Sequence, residues 1–452
     1  MIRRAKISHL AWLGVGVWCV LRAFRPILDN SFLWHVAVGR IQLDGGTVLT
    51  TDPLSYTFGG ETWRTQSWLM ELLYGILEKA FDLSFVPVML AVSSLLMAVI
   101  VGVLVRRRVR TESAVILLVF LSLYIFGPTW NPRPVFGSFL LMGLLIVVID
   151  DRRLRWTVPF LVWVWVGVHA SWPIGLAYVV LRGIADSRWK DSLTRVSMCA
   201  LLPLVTAHGI GAYVFLTDFA GESSGLKLMQ EWATPSLIGV KGFGVFVSLV
   251  LILRGAIGGK VTERDLWVIV PFIALAVSSL RSLPMGALAM LGYAAMGIEL
   301  RRSISVGEGK VEGIVAGCFA IAVGVTVAFL VRPISLDESR FPIDAATYLD
   351  NRPVFHSDVT GGYLAYAFPG IPVFIDDRVE LYGEGFLTEF INVRSGKTEW
   401  APLFEEYGVA QVLLEKESPL IEILHEAPGW LVVYSDEAFE LLSSSQSGRS
   451  ER

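Results

Sequence analysis

Cysteine is scarce in this chain: three residues in 452, with Cys19, Cys199 and Cys318 far apart inside apolar runs. That spacing excludes a disulfide framework and a C-x-x-C zinc site and makes all three packing residues. Long basic tracts are also missing, and with a net charge of −3 nothing points to nucleic acid. The N-terminus, MIRRAK ahead of an apolar run, has the charged start of a secretory signal without a small-residue cleavage site. Arg22, Arg25 and Pro26 close that run, so it reads as an uncleaved first span.

What the chain does have is apolar mass. Hydrophobic residues make up 54%, there are 15 Trp, and mean hydropathy is +0.59, too apolar for an ordinary soluble enzyme and suited to a polytopic membrane protein. A span needs roughly 20 apolar residues, fewer with Trp and Arg anchors. Spans are expected near 8–26, 84–105, 112–128, 133–149, 155–169, 171–185, 195–215, 237–254, 265–281, 283–299 and 311–332, about eleven in all. The segment 66–81 carries Glu71, Glu78 and Lys79 among apolar residues at helical spacing, which suits an amphipathic helix at the interface.

The cationic side chains set orientation. Arg3, Arg4 and Lys6, then Arg106 to Arg108 with Arg110, then Arg152, Arg153 and Arg155, then Arg188, Lys190 and Arg195, then Lys260 and Arg264, then Arg301, Arg302 and Lys310 fall on one side. The positive-inside rule makes that side cytoplasmic. The N-terminus is then inside and everything after the last span outside. The expected organisation is an all-α polytopic membrane domain over 1–335 with a first outer loop at 28–83. A C-terminal extracytoplasmic α/β domain follows over 336–445, and then a disordered tail, 446–452. In the outer domain 354–357, 373–377, 409–416, 430–436 and 439–445 read as strands with helical segments between them.

Ionisable groups at membrane depth are costly and tend to mark function. Here they sort to the outer face: Asp29, His35, Asp52, Arg64 and Glu71 in the first loop, then Trp130-Asn131-Pro132-Arg133, His169, Gln230-Glu231-Trp232 and Arg281. Each has a plainer reading beside the functional one. Asp29 precedes an amphipathic run and has the position of a helix N-cap. Trp34, Trp68, Trp130 and Trp172 fit interface anchors. His35 and His169 fit satisfied structural imidazoles, and Glu231 a solvated carboxylate. Arg133 and Arg281 stand at outer span ends, where positive charge is depleted, so a bound anion competes with snorkelling. Together these groups suit a lipid-linked phosphate substrate: Arg forks pair phosphate oxygens, a carboxylate takes a proton from an attacking hydroxyl, and the bilayer holds the lipid tail.

The pattern Asp29, Trp34-His35, Gly39, then Gly45-Gly46, Asp52-Pro53-Leu54-Ser55-Tyr56-Thr57, Gly60-Glu61-Thr62-Trp63 and Trp68-Leu69 with Glu71 resembles a large group of bacterial polytopic proteins. That group is similar to the GT-C class of membrane glycosyltransferases. The resemblance continues through Arg133-Pro134, His169, Glu231-Trp232, Arg281, Gly361-Gly362-Tyr363-Leu364, Val373 to Arg378, and Leu381-Tyr382-Gly383, so it covers most of the chain. It implies a protein of the bacterial inner (plasma) membrane and a polyprenyl-phosphate-linked sugar donor. It also implies an early acidic residue, here Asp29, as base or metal ligand. The chain departs from the group's pattern at Ser31, where a second acid is usual, and at Thr206-Ala207-His208-Gly209. The cofactor is left open, a divalent metal such as Mg or Mn included.

On this reading Asp29 is the catalytic base, and Arg64, Arg133 and Arg281 clamp the phosphate. His35, His169 and Glu231 position sugar or acceptor, with Asp52, Glu71, Asp376 and Arg378 as further substrate-binding candidates. Asp376, Asp377 and Arg378 fit equally a turn-stabilising ion pair or an acceptor surface. The partners are the donor lipid, a glycan, lipid or protein acceptor, and membrane lipids. The alternatives are a transporter or flippase of lipid-linked glycans and a non-catalytic membrane assembly subunit. A transporter predicts mid-span ionisable residues, which these spans nearly lack.

Overall fold

A computed structural model describes residues 7–21, 26–186, 189–221, 234–236, 242–298 and 335–445. The expected span 311–332, the Gln230-Glu231-Trp232 stretch and the tail 446–452 lie outside the described residues. The fold is mostly helical with a small C-terminal sheet, and it divides into two compact units. One comprises Met1–Arg25, Phe81–Ala212 and Met229–Pro333; the other comprises Pro26–Ala80, Tyr213–Leu228 and Ile334–Arg452.

The first unit is a helical bundle. Its helices include Ile7–Leu21, Phe85–Arg106, Glu112–Phe126, Val135–Ile149, Val158–Val168, Trp172–Ala185, Phe243–Ile257, Leu266–Ser278 and Leu283–Met296. Several begin on a proline in the first turn, where the missing N–H costs no helical bond. Leu283–Met296 is buried along nearly its whole length, and its small residues Ala287, Ala289, Ala294 and Ala295 let neighbouring backbones approach. The outer faces are apolar too: Leu117, Phe160, Leu253, Trp267 and Val270 are each more than half exposed. A helix hydrophobic on all sides is suited to hydrocarbon surroundings rather than to water. By length and composition, two helical runs, Trp68–Arg106 and Glu112–Thr129, could cross a membrane.

The expected span 195–215 is divided. Helix Trp189–Leu201 runs into a 3-10 turn at Leu202–Val205, and a new helix begins at Gly211. Pro203 cannot donate into the ladder, and Gly209, at φ +53°, turns the chain in the left-handed region.

The second unit carries the sheet. Strands β1 (Val354–His356), β2 (Gln411–Glu415), β3 (Trp430–Ser435) and β4 (Phe439–Ser444) lie in the order β1-β2-β4-β3. The β1/β2 pair is parallel and the other two pairs are antiparallel, with an irregularity between Val432 and Tyr434. Helices Asp358–Ala367, Val379–Arg394, Ala401–Glu406 and Pro419–Glu426 occupy the segments expected to be helical. Phe355, Phe374, Phe390, Phe404, Leu420 and Leu442 belong to the core they enclose.

The expected strand 373–377 does not form. Val373 makes one bridge, to Ser55, through its amide to Leu54 O and its carbonyl to Tyr56 N, both at 3.0 Å. Beyond it, side chains replace a neighbouring strand. Phe374 N donates to His356 Nε2 at 2.8 Å, and Asp376 N donates to the Tyr382 hydroxyl at 3.2 Å. Burial lowers the His356 pKa to about 4, so the ring stays neutral and accepts that bond.

Within the same unit the first-loop helix Asn30–Gly45 meets Trp68–Phe81 and Asp358–Ala367 at close range. A Cβ on Gly39 would lie 1.9 Å from the Glu71 carbonyl oxygen, and one on Gly75 2.5 Å from the Gly39 carbonyl. Likewise a Cβ on Gly362 would lie 2.5 Å from Asn30 O. Arg40 ties the three helices together. It pairs with Glu78 at 2.5 Å, donates to Tyr366 O at 2.8 Å, and lies 4.4 Å from the centre of the Tyr366 ring.

Candidate functional site

In the sheet-bearing unit, the first loop and the C-terminal segment build one continuous polar structure. Asp29 caps the helix Asn30–Gly45: its backbone is extended, and its carboxylate accepts from Phe32 N at 3.0 Å. The capping geometry read from sequence is therefore present, and it leaves Asp29 half-buried with its charge at a helix N-terminus, where an anion is favoured. Two residues on, Ser31 donates to Asp377 Oδ2, and Trp34 Nε1 donates to Asp377 Oδ1 at 2.5 Å. Position 31, where the resembling group has an acid, is thus met by a carboxylate from the C-terminal segment.

His35 stacks on Trp34, ring centres 3.6 Å apart, and its Nδ1 lies 2.8 Å from Glu71 Oε1. Glu71 is fully buried and also accepts from Gln42 Nε2 at 3.0 Å and from the Thr65 hydroxyl. His35 and Glu71 are brought together, as a satisfied pair inside the unit.

Asp52, Asp376 and Arg378 form a second buried cluster. Arg378 Nη1 donates to Asp52 at 2.6 Å, while Nε and Nη2 grip Asp376 at 2.8 and 2.7 Å. The guanidinium lies 4.5 Å from the Trp63 ring centre and 5.8 Å from that of Trp34. Burial works to lower the Arg378 pKa, but the Asp376 carboxylate, Tyr382 and Asp52 together outweigh it, and the value rises well above the ordinary one. Asp52 is further held by the Leu54 and Ser55 amides at 3.0 and 3.1 Å. The Asp376–Arg378 ion pair spans two residues of a turn and is bolted to the first loop through Asp52.

Arg64 is different. It is half-buried and has no carboxylate within ion-pair distance among the described residues. That leaves its fork available to an anion.

The helical unit places Arg133, His169 and Arg281 at helix junctions. Arg133 directly precedes Val135–Ile149, His169 follows Val158–Val168, and Arg281 lies between Leu266–Ser278 and Leu283–Met296. All three are half-buried. His169 Nδ1 accepts from Ser171 N at 3.1 Å and lies 3.0 Å from the Ser171 hydroxyl, which itself donates to Ser138 at 2.9 Å. Glu231 lies outside the described residues.

Among the described residues no three or more His, Cys, Asp or Glu side chains gather as metal ligands. Asp377 is already occupied by Ser31 and Trp34, so the donor set around position 31 does not fit a Mg or Mn ion, which takes several oxygen ligands. Asp377 enters the sequence reading only within the 376–378 run, as an ion pair or acceptor surface, and the Trp63 platform has no signal in the sequence. The run Asp376-Asp377-Arg378 was the visible signal, but its partners lie more than 300 positions away.

The chain shares its fold with a solved protein structure over nearly its whole length. It is similar to ArnT from Cupriavidus metallidurans bound to undecaprenyl phosphate, with TM-score 0.55 and 14% identity over 96% of this chain and 97% of that one. It is similar also to the apo state of that protein, with TM-score 0.54, 12% identity and the same coverage. No protein-family model and no curated protein matches the sequence.

Proposed function

We propose that this protein is an integral membrane glycosyltransferase that moves a sugar from a polyprenyl-phosphate donor to an extracytoplasmic acceptor. The observation that carries the proposal is likeness of fold across nearly the whole chain to a protein whose structure holds undecaprenyl phosphate. The acceptor hydroxyl attacks the anomeric carbon while Asp29 takes its proton. The bond from that carbon to the phosphate oxygen breaks, polyprenyl phosphate leaves, and configuration inverts. Arg64, Arg133 and Arg281 hold the phosphate, and a guanidinium without a carboxylate partner, as at Arg64, supports that role. His169 and Glu231 position sugar or acceptor. Glu71 with His35, and Arg378 with Asp52 and Asp376, are assigned to shaping the loop that presents Asp29, because their donors and acceptors already satisfy one another.

Residues 1–335 then form the membrane domain with about eleven spans, and 336–445 form the extracytoplasmic domain. The N-terminus is cytoplasmic in a bacterial inner membrane.

Asn caps helices as well as Asp does but cannot take the proton, so Asp29→Asn separates the two roles. In purified full-length protein given a polyprenyl-phosphate sugar, Asp29→Asn is expected to lower transfer by about 10²–10⁴-fold with the thermal unfolding midpoint kept. Undiminished transfer removes Asp29 from the mechanism.

A further inference from the structure

The helical unit contains a cavity of about 660 Å³ at the end opposite Arg133, His169 and Arg281 along the same helices. Its lining draws Arg107 and Arg108, Arg155, Arg182 and Arg264 from four separate loops and helix ends. The positive-inside rule accounts for arginines in those loops; it does not account for five of them converging on one space between helices.

The lining holds three acids, Asp150, Asp151 and Asp186, against these five arginines, so the set is not neutralised. Asp150 pairs with Arg182 at 2.9 Å and Arg108 at 3.8 Å. Asp151 is turned to its own loop, where it accepts from the Arg153 and Leu154 amides at 2.8 and 3.1 Å. Arg155 pairs with Asp191 at 3.0 Å, outside the lining, and its Nε is buried with no acceptor among the described residues. Arg264 is exposed and has no carboxylate in ion-pair range among the described residues. Two tyrosines, Tyr178 and Tyr293, add hydroxyls, while Leu104, Ile146 and Ala289 supply an apolar wall.

We infer that this cavity binds a phosphate-bearing anion. Forked guanidinium groups from several directions match the tetrahedral oxygens of phosphate, and a basic space between helices at the cytoplasmic end is where an anionic phospholipid headgroup docks. The apolar wall favours the lipid as the source, with free phosphate the other. The assignment does not depend on the transfer reaction.

The test uses the full-length protein in nanodiscs of phosphatidylcholine with and without phosphatidylglycerol, with retained lipid counted by native mass spectrometry. A second arm titrates inorganic phosphate against the thermal midpoint in detergent. The wild type is expected to retain phosphatidylglycerol over phosphatidylcholine, and Arg264→Gln and Arg155→Gln each to weaken that retention about 5-fold. Arg264 is exposed and unpaired, so its variant tests binding without endangering the fold. A midpoint raised by inorganic phosphate that Arg264→Gln abolishes supports the site with free phosphate as its source, and selective lipid retention alone supports it with the lipid. Equal retention of both lipids with no phosphate effect overturns the inference, as does a double variant indistinguishable from wild type in both arms.

Discussion

Arg378 and Arg64 carry the same charge and do opposite work. Arg378 is sealed against two carboxylates and an indole, so its worth is geometric: an ammonium cannot serve Asp376 through two edges and Asp52 through a third. Arg378→Lys is expected to cost about 3–5 kcal/mol, read as a lowered unfolding midpoint. Arg64 satisfies no internal acid, so Arg64→Gln is expected to leave that midpoint in place and weaken polyprenyl-phosphate binding about 10-fold. A midpoint lowered as far by Arg64→Gln as by Arg378→Lys would erase the distinction. In the sequence these arginines look alike, because pairing is a property of what lies opposite. Asp29 was legible as a cap because capping is local, three residues from carboxylate to amide.

At the scale of elements, Gly39 and Gly362 of the resembling motif mark helix crossings, whereas Gly46, Gly60 and Gly383 stand at positive φ. Gly39 and Gly75 allow the helices Asn30–Gly45 and Trp68–Phe81 to touch backbone to backbone, and that contact sets how far Glu71 reaches toward His35. A methyl at Gly39 must push the helices apart, so Gly39→Ala is expected to destabilise by about 1–3 kcal/mol in thermal unfolding. Gly45→Ala, whose Cβ would meet only Thr47 Oγ1 at 3.8 Å, serves as the control and should change little. Equal effects from the two would refute the crossing. Helices of the bundle were readable as long apolar runs, and 66–81 by its helical spacing. The failures came where the backbone finds partners that no periodicity encodes, as at 373–377, where an imidazole and a phenol stand in for a strand.

For the whole molecule, Arg107, Arg108, Arg155, Arg182 and Arg264 of the helical unit line one cavity among the described residues, and which side of the membrane that end faces is a separate prediction. Cysteine labelling from either side of the membrane tests the orientation. In a cysteine-free background, Glu437→Cys is expected to react with an impermeant maleimide added outside intact spheroplasts, and Arg153→Cys only after permeabilisation. The reverse pattern would invert the topology. The sequence alone determined the apolar helices, the C-terminal helical segments with every expected strand but 373–377, and the cap at Asp29, because apolar run length, short-range patterning and capping act over one helix or one turn. Only the tertiary structure decided that the first loop belongs to the same compact unit as the C-terminal segment, and that Asp377 answers Ser31 while Asp52 and Asp376 share Arg378. A buried charge must find its counter-charge wherever the folded chain brings one, and that partner has no fixed distance in sequence.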